Sequence, residues 1–94
     1  MKETTVSKPY VKNAIVTLRK QGYKHNFSIH HGLVKTPQKL LSTRQLFILE
    51  KISFEDSDVE DTTLYGLVTR CDQKGYLLDR TGEFNNILRQ SAQR

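Results

Sequence analysis

Leu46-Phe47-Ile48-Leu49-Glu50-Lys51-Ile52-Ser53-Phe54 is the stretch on which the class of this chain turns. Its even positions Leu46, Ile48, Ile52 and Phe54 are apolar, with Glu50 as the interruption, and its odd positions run from Phe47 and Leu49 to Lys51 and Ser53. Alternation of this kind predicts a strand, although Gln45 to Lys51 taken alone also fit a helix. With a strand here, the chain reads as a mixture of helix and sheet.

Working towards the N-terminus, a second strand precedes it. Tyr23, His25, Phe27 and Ile29 fall on one side of a period-two pattern, and Lys24, Asn26, Ser28 and His30 on the other. His31-Gly32 ends that strand. Thr36-Pro37 then predicts a short helical turn through Leu40 and Leu41, with Pro at the first helical position. Further back the period changes to that of a helix, with Val11, Ala14, Ile15 and Leu18 at i, i+3, i+4 and i+7. Ser7 suits the N-cap, Pro9 the first turn, Val6 a staple onto Val11, Arg19 and Lys20 the negative end of the dipole, and Gly22 a left-handed C-cap. A helix is expected over about residues 8 to 21.

Towards the C-terminus, Glu55 to Asp61 form an acidic run that reads as a solvated loop. Thr62 to Cys71 are rich in β-formers, Asp72-Gln73-Lys74-Gly75 offer turn chemistry, and Tyr76, Leu77 and Leu78 supply the second arm of a hairpin. After a turn at Asp79-Arg80-Thr81-Gly82, the spacing of Phe84, Ile87 and Leu88 predicts a short helix, followed by a polar tail over 90–94. The expectation is one α+β domain over 1–94, frayed at 1–6 and 90–94. Its N-terminal helix packs on a four-stranded, mainly antiparallel sheet, because the later connections are too short for parallel crossovers.

Composition narrows the functional classes. Hydrophobic residues make up 36% of the 94, no apolar run approaches a membrane span, and the N-terminus Met1-Lys2-Glu3-Thr4-Thr5 lacks the apolar core of a signal peptide. With Cys71 as the single cysteine, no internal disulfide can form, and a cytoplasmic location without membrane contact is expected. The net charge of +5 is unevenly spread: residues 1–49 hold nine Lys and Arg against the acid Glu3, and residues 50–94 hold six against nine acids. Such a split suits an anionic partner, or attraction between the halves of one fold or between two copies.

The candidate chemistry is sparse. Asp56, Asp58, Glu60 and Asp61 are oxygen ligands for Ca²⁺ or Mg²⁺, but a calcium loop opening at Asp56 requires Gly at its sixth position and Glu at its twelfth, where Asp61 and Leu67 stand. His25 and His30 point to opposite faces of a strand and His31 lies at its turn, so three imidazoles do not converge on one metal. Cys71 has the acid Asp72 beside it, which disfavours a thiolate. No Gly-x-Ser-x-Gly elbow is present and no cofactor is expected. The remaining candidate is anion or nucleic-acid contact through the basic residues Lys12, Arg19, Lys20 and Lys24, without the stacking aromatics that nucleic-acid readers add.

A wider pattern joins Leu18-Arg19-Lys20-Gln21-Gly22-Tyr23, Asn26-Phe27, Phe54-Glu55-Asp56-Ser57-Asp58, Tyr65 and Lys74-Gly75-Tyr76-Leu77-Leu78-Asp79-Arg80-Thr81-Gly82-Glu83-Phe84. Over roughly residues 11 to 84 it resembles a family of small bacterial proteins of about this length that often carry the label phosphoribosylpyrophosphate synthetase. The motifs are turn and strand residues, so the resemblance implies a shared fold more than an activity. A synthetase of that kind would need a glycine-rich phosphate loop after a parallel strand, and the sequence contains none. Three functions follow as expectations. The first is a non-enzymatic interaction or regulatory module that binds a protein, including a second copy of itself, through an open sheet face or edge. The second is a nucleic-acid or anionic-ligand binder using the basic N-terminal half. The third is the enzyme of the family label, with Mg²⁺ on the acidic loop and phosphates on the basic residues.

Overall fold

The computed structural model describes residues 2–6, 11–54 and 62–92. Among these, strand β1 (Lys2–Val6) is followed by helix α1 (Val11–Lys20), β2 (His25–His30), β3 (Leu33–Lys35) and β4 (Leu40–Leu41). A single 3-10 turn at Thr43–Gln45 leads into β5 (Leu46–Phe54), then β6 (Thr63–Thr69), β7 (Lys74–Asp79) and helix α2 (Glu83–Ala92). The described strands form one seven-stranded sheet in the order β1-β5-β6-β7-β2-β3-β4.

The α+β class holds, but the sheet is wider than the four strands expected and it is mixed. β1 runs parallel to β5 and β2 parallel to β7, while the remaining neighbours are antiparallel. The short later connections do make an antiparallel meander of β5, β6 and β7. The parallel pairs come from the other end of the chain, where α1 is itself a crossover long enough to join parallel strands. It leaves β1 on one side of the meander and carries β2 to the other. Residues 2–6 are therefore a paired strand where a frayed end is expected, and α2 continues to Ala92 through part of the expected tail.

Local chemistry accounts for the boundaries. The predicted caps at Ser7 and Pro9 lie outside the described residues. The end of α1 is as predicted: Gly22 takes φ 102°, Tyr23 N–H donates to the Leu18 carbonyl at 3.0 Å and Gly22 N–H to that of Arg19 at 3.1 Å, which closes a Schellman cap. The predicted helical turn at Thr36-Pro37 is instead a hairpin between β3 and β4. Thr36 Oγ1 accepts the N–H of Gln38 and of Lys39, and Thr36 N–H donates to the Lys39 carbonyl at 2.8 Å. A proline with φ near −65° serves a β-turn as well as a first helical turn, so the sequence signal is the same for both. The β6–β7 turn also lies earlier than expected. It spans Arg70 to Gln73, with Asp72 at φ 63°, and leaves Gly75 inside β7. There a Cβ would stand 2.6 Å from the His25 carbonyl oxygen and from Phe27 Cζ, so only glycine permits the close approach of β7 to β2.

The sheet is covered on both faces. On one, Leu18 and Tyr23 pack with Ile52, Phe54 and Leu64. On the other, Phe27, Val34, Leu41, Leu46, Tyr65, Leu67, Leu77 and Phe84 form a larger cluster with Ile48 and Leu88 at its margin. β5 serves both. Its register against β6 slips between Ile48 and Glu50, a bulge at Leu49. Leu46 and Ile48 consequently join the α2-side core while Ile52 and Phe54 join the α1 side. The single apolar face expected from the even positions is thus two half-faces pointing opposite ways. Glu50, the one polar member of that row, directly follows the bulge.

Candidate functional site

The bulge also divides the outer edge of β5. β1 begins opposite Glu50 and covers Glu50 to Phe54, so among the described residues Leu46 to Leu49 have β6 as their only strand neighbour. Two apolar side chains on this open segment are exposed, Phe47 by 54% and Leu49 by 38%. Phe47 lies in a cross-strand row with Val68 and Lys74, and the next row along that face is Glu50, Gly66 and Tyr76.

Tyr23 separates the covered part of this face from the uncovered part. Its buried ring rests on Gly66, where a Cβ would stand 3.0 Å from Tyr23 Cε1, and Lys74 Nζ lies 4.7 Å from the ring centroid. The Tyr23 hydroxyl donates to the Glu50 carboxylate. Burial, then that hydrogen bond and the Glu50 charge, push its pKa up to about 12. Beyond Tyr23, among the described residues, no helix covers the row that holds Phe47, because α1 ends at Lys20.

A second feature lies on the opposite face, where β5 and β6 end beside α2. A cleft of about 390 Å³ is lined by Lys51, Ser53, Thr63, Tyr65, Asn85 and Arg89. Asp79 also borders it but is fully engaged. Its carboxylate accepts the N–H groups of Glu83 and Phe84 at 3.1 Å and of Thr81 and Asn85 at 3.4 Å, so it starts α2 as a buried anionic cap. Tyr65 packs edge-on against Phe84 at 4.7 Å, and burial, with the Asp79 charge second, raises its pKa.

The residues singled out by sequence are scattered by comparison. Lys12, Arg19, Lys20 and Lys24 are all exposed, on α1 and just beyond it. Asp56, Asp58, Glu60 and Asp61 lie outside the described residues. His25 is half-buried and stacks on Phe27 at 6.3 Å, whereas His30 and His31 are exposed and meet edge-on at 4.4 Å around the hairpin turn. Cys71 is exposed in the β6–β7 turn. Among the described residues no three His, Cys, Asp or Glu side chains gather as a metal site, and no helix is long and apolar enough to cross a membrane. Phe47, Leu49, Lys51 and Arg89 went unmarked by sequence reasoning. The available signal was two large apolar residues on the side of the β5 pattern that later turns polar. No protein-family profile, no curated protein and no solved structure matches this chain.

Proposed function

We propose that this protein is a non-enzymatic interaction module that adds a strand to the open edge of β5, and that the strand comes from a second copy. The observation carrying this reading is the unpaired Leu46–Leu49 segment with Phe47 and Leu49 exposed. Bare strand edges with apolar side chains template pairing, and natural monomers blunt them with charge or proline, neither of which occurs between Leu46 and Leu49.

A second copy suits this edge because two-fold pairing of antiparallel strands keeps corresponding faces together and places one residue opposite its own mate. Centred on Phe47, such pairing sets Phe47 against Phe47 on the α1 side and Leu46 against Ile48 on the α2 side. It thereby extends the larger core across the junction.

Sedimentation velocity across a concentration series tests this reading, with wild type compared to Phe47→Lys. The expected result is a concentration-dependent dimer in wild type and a monomer in the variant. Because the side chain is largely exposed, the variant's folding stability should change by no more than about 0.5 kcal/mol. A wild type that stays monomeric throughout, or a dimer that survives Phe47→Lys, would remove the proposal.

A further inference from the structure

The turn between β2 and β3 brings two histidines into contact. His30 ends β2 opposite Leu33, and the residues between them, His31 and Gly32, take φ 51° and 78°. Positive φ at both central positions marks the two-residue hairpin turn whose twist matches that of its flanking strands. Successive side chains of a strand point to opposite faces, so a straight continuation of β2 would hold the two imidazoles apart. With His31 in the left-handed conformation its ring instead meets that of His30, the centroids 4.4 Å apart and the planes at 74°.

Core packing does not require this contact, because both side chains are exposed. The space over the turn is also open, since a Cβ on Gly32 would meet no atom within 4 Å. Both ligands sit on the closed end of a short hairpin, where the turn itself fixes their spacing.

That spacing distinguishes between coordination geometries. A ligating imidazole nitrogen lies about 2.0 Å from its metal, with the ring centroid about 1.1 Å farther out. Two such rings at a right angle have centroids about 4.4 Å apart, whereas the tetrahedral angle sets them about 5.1 Å apart. The right angle belongs to square-planar and octahedral ions, and the steep angle between the two ring planes is compatible with it.

We infer that His30 and His31 form a two-imidazole site for a divalent ion of square-planar or octahedral preference, Ni²⁺ or Cu²⁺, with one nitrogen of each ring as ligand and water in the remaining positions. Two strands, β6 and β7, lie between β5 and β2 in the sheet, so the site is independent of the β5 edge and of dimerisation.

Amide spectra of ¹⁵N-labelled full-length protein titrated with NiCl₂, and with MgCl₂ as an oxygen-preferring comparison, test the inference. Octahedral Ni²⁺ is paramagnetic and does not oxidise the Cys71 thiol, so amides close to the ion lose intensity without side reaction. The expected result is saturable loss of the His30 to Leu33 amides below about 1 mM Ni²⁺, with Mg²⁺ inert. His30→Gln and His31→Asn should each weaken the response about tenfold or more, because the surviving imidazole then binds without an intramolecular partner. Asparagine is favoured at the first central position of such a turn and His30 is exposed, so both variants keep the hairpin. Cys71→Ser should change nothing. Several results would overturn the assignment: no loss at about 1 mM Ni²⁺, near the weak limit of useful affinity; loss centred on His25, Cys71 or residues 55–61; equal loss with Mg²⁺; or a titration of either histidine variant that matches wild type.

Discussion

The two halves of β5 are built from the same kind of residues and end in opposite environments. Leu46 and Ile48 face α2, whereas Ile52 and Phe54 face α1, and the single extra residue Leu49 makes the difference. The first half has an open outer edge with an exposed phenylalanine, and the second is covered by β1. One inserted residue therefore settles three things together: which core each apolar side chain enters, which face of the sheet turns polar beside α2, and where on the sheet an edge is left for pairing.

Removing the bulge should have the largest effect. Deletion of Leu49 restores strict alternation along β5 and forces one half onto the wrong face, either Leu46 and Ile48 out of the α2-side core or Ile52 and Phe54 out of the α1 side. The second alternative also turns Glu50 towards the larger core. The expected loss is about 5 kcal/mol or more, comparable with the whole stability of a small domain, seen as the absence of a cooperative thermal transition by circular dichroism. Leu49→Ala, which keeps the extra residue and removes only an exposed side chain, should cost less than about 1 kcal/mol. A deletion variant that melts cooperatively near the wild-type temperature would show that the register slip is not what separates the two cores.

Asp79 tests the α2 side more gently. Asp79→Ala leaves the N–H groups of Glu83 and Phe84 without their acceptor and removes the anion from the helix start, at an expected cost of about 1 to 3 kcal/mol. Hydrogen exchange should show the loss as faster opening of α2 and of the strands around Phe84, with α1 and its contacts to Leu64 protected as before. Equal acceleration across both faces would mean that the two cores open as a single unit.

Much of this arrangement can be read from local pattern, and its failures have physical causes. The α1 stripe of Val11, Ala14, Ile15 and Leu18, the Gly22 cap, β2 and its His31-Gly32 turn, and the β6–β7 hairpin all follow from residues close in sequence. The parallel pairings of β1 with β5 and of β2 with β7 join segments about fifty residues apart, and no local period encodes them. The bulge hides because Leu46, Ile48, Ile52 and Phe54 sustain a plausible alternation across it, broken only by Glu50. The cleft was unreadable for the same reason as the sheet order. Lys51 and Arg89 are unremarkable charged residues until the fold sets β5 beside α2, and the basic residues that do stand out in sequence, Lys12 and Arg19, are on the surface of α1.

The smallest expected effect concerns the residue that separates covered from uncovered sheet. Tyr23→Phe keeps the ring on Gly66 and under Lys74 but removes the hydroxyl that donates to Glu50. At neutral pH it should cost about 1 kcal/mol, the net value of one such hydrogen bond. The folded-state pKa of about 12 lies above the unfolded value of 10.0, so the contribution of the neutral hydroxyl is fully present below pH 10 and is lost as pH rises towards 12. The stability gap between wild type and Tyr23→Phe, measured by urea unfolding at pH 7 and again between pH 10 and 12, should therefore narrow with rising pH. A gap that widens there would mean that the tyrosine ionises more readily in the folded protein, and that the Glu50 side of the sheet is wetter than its buried ring implies.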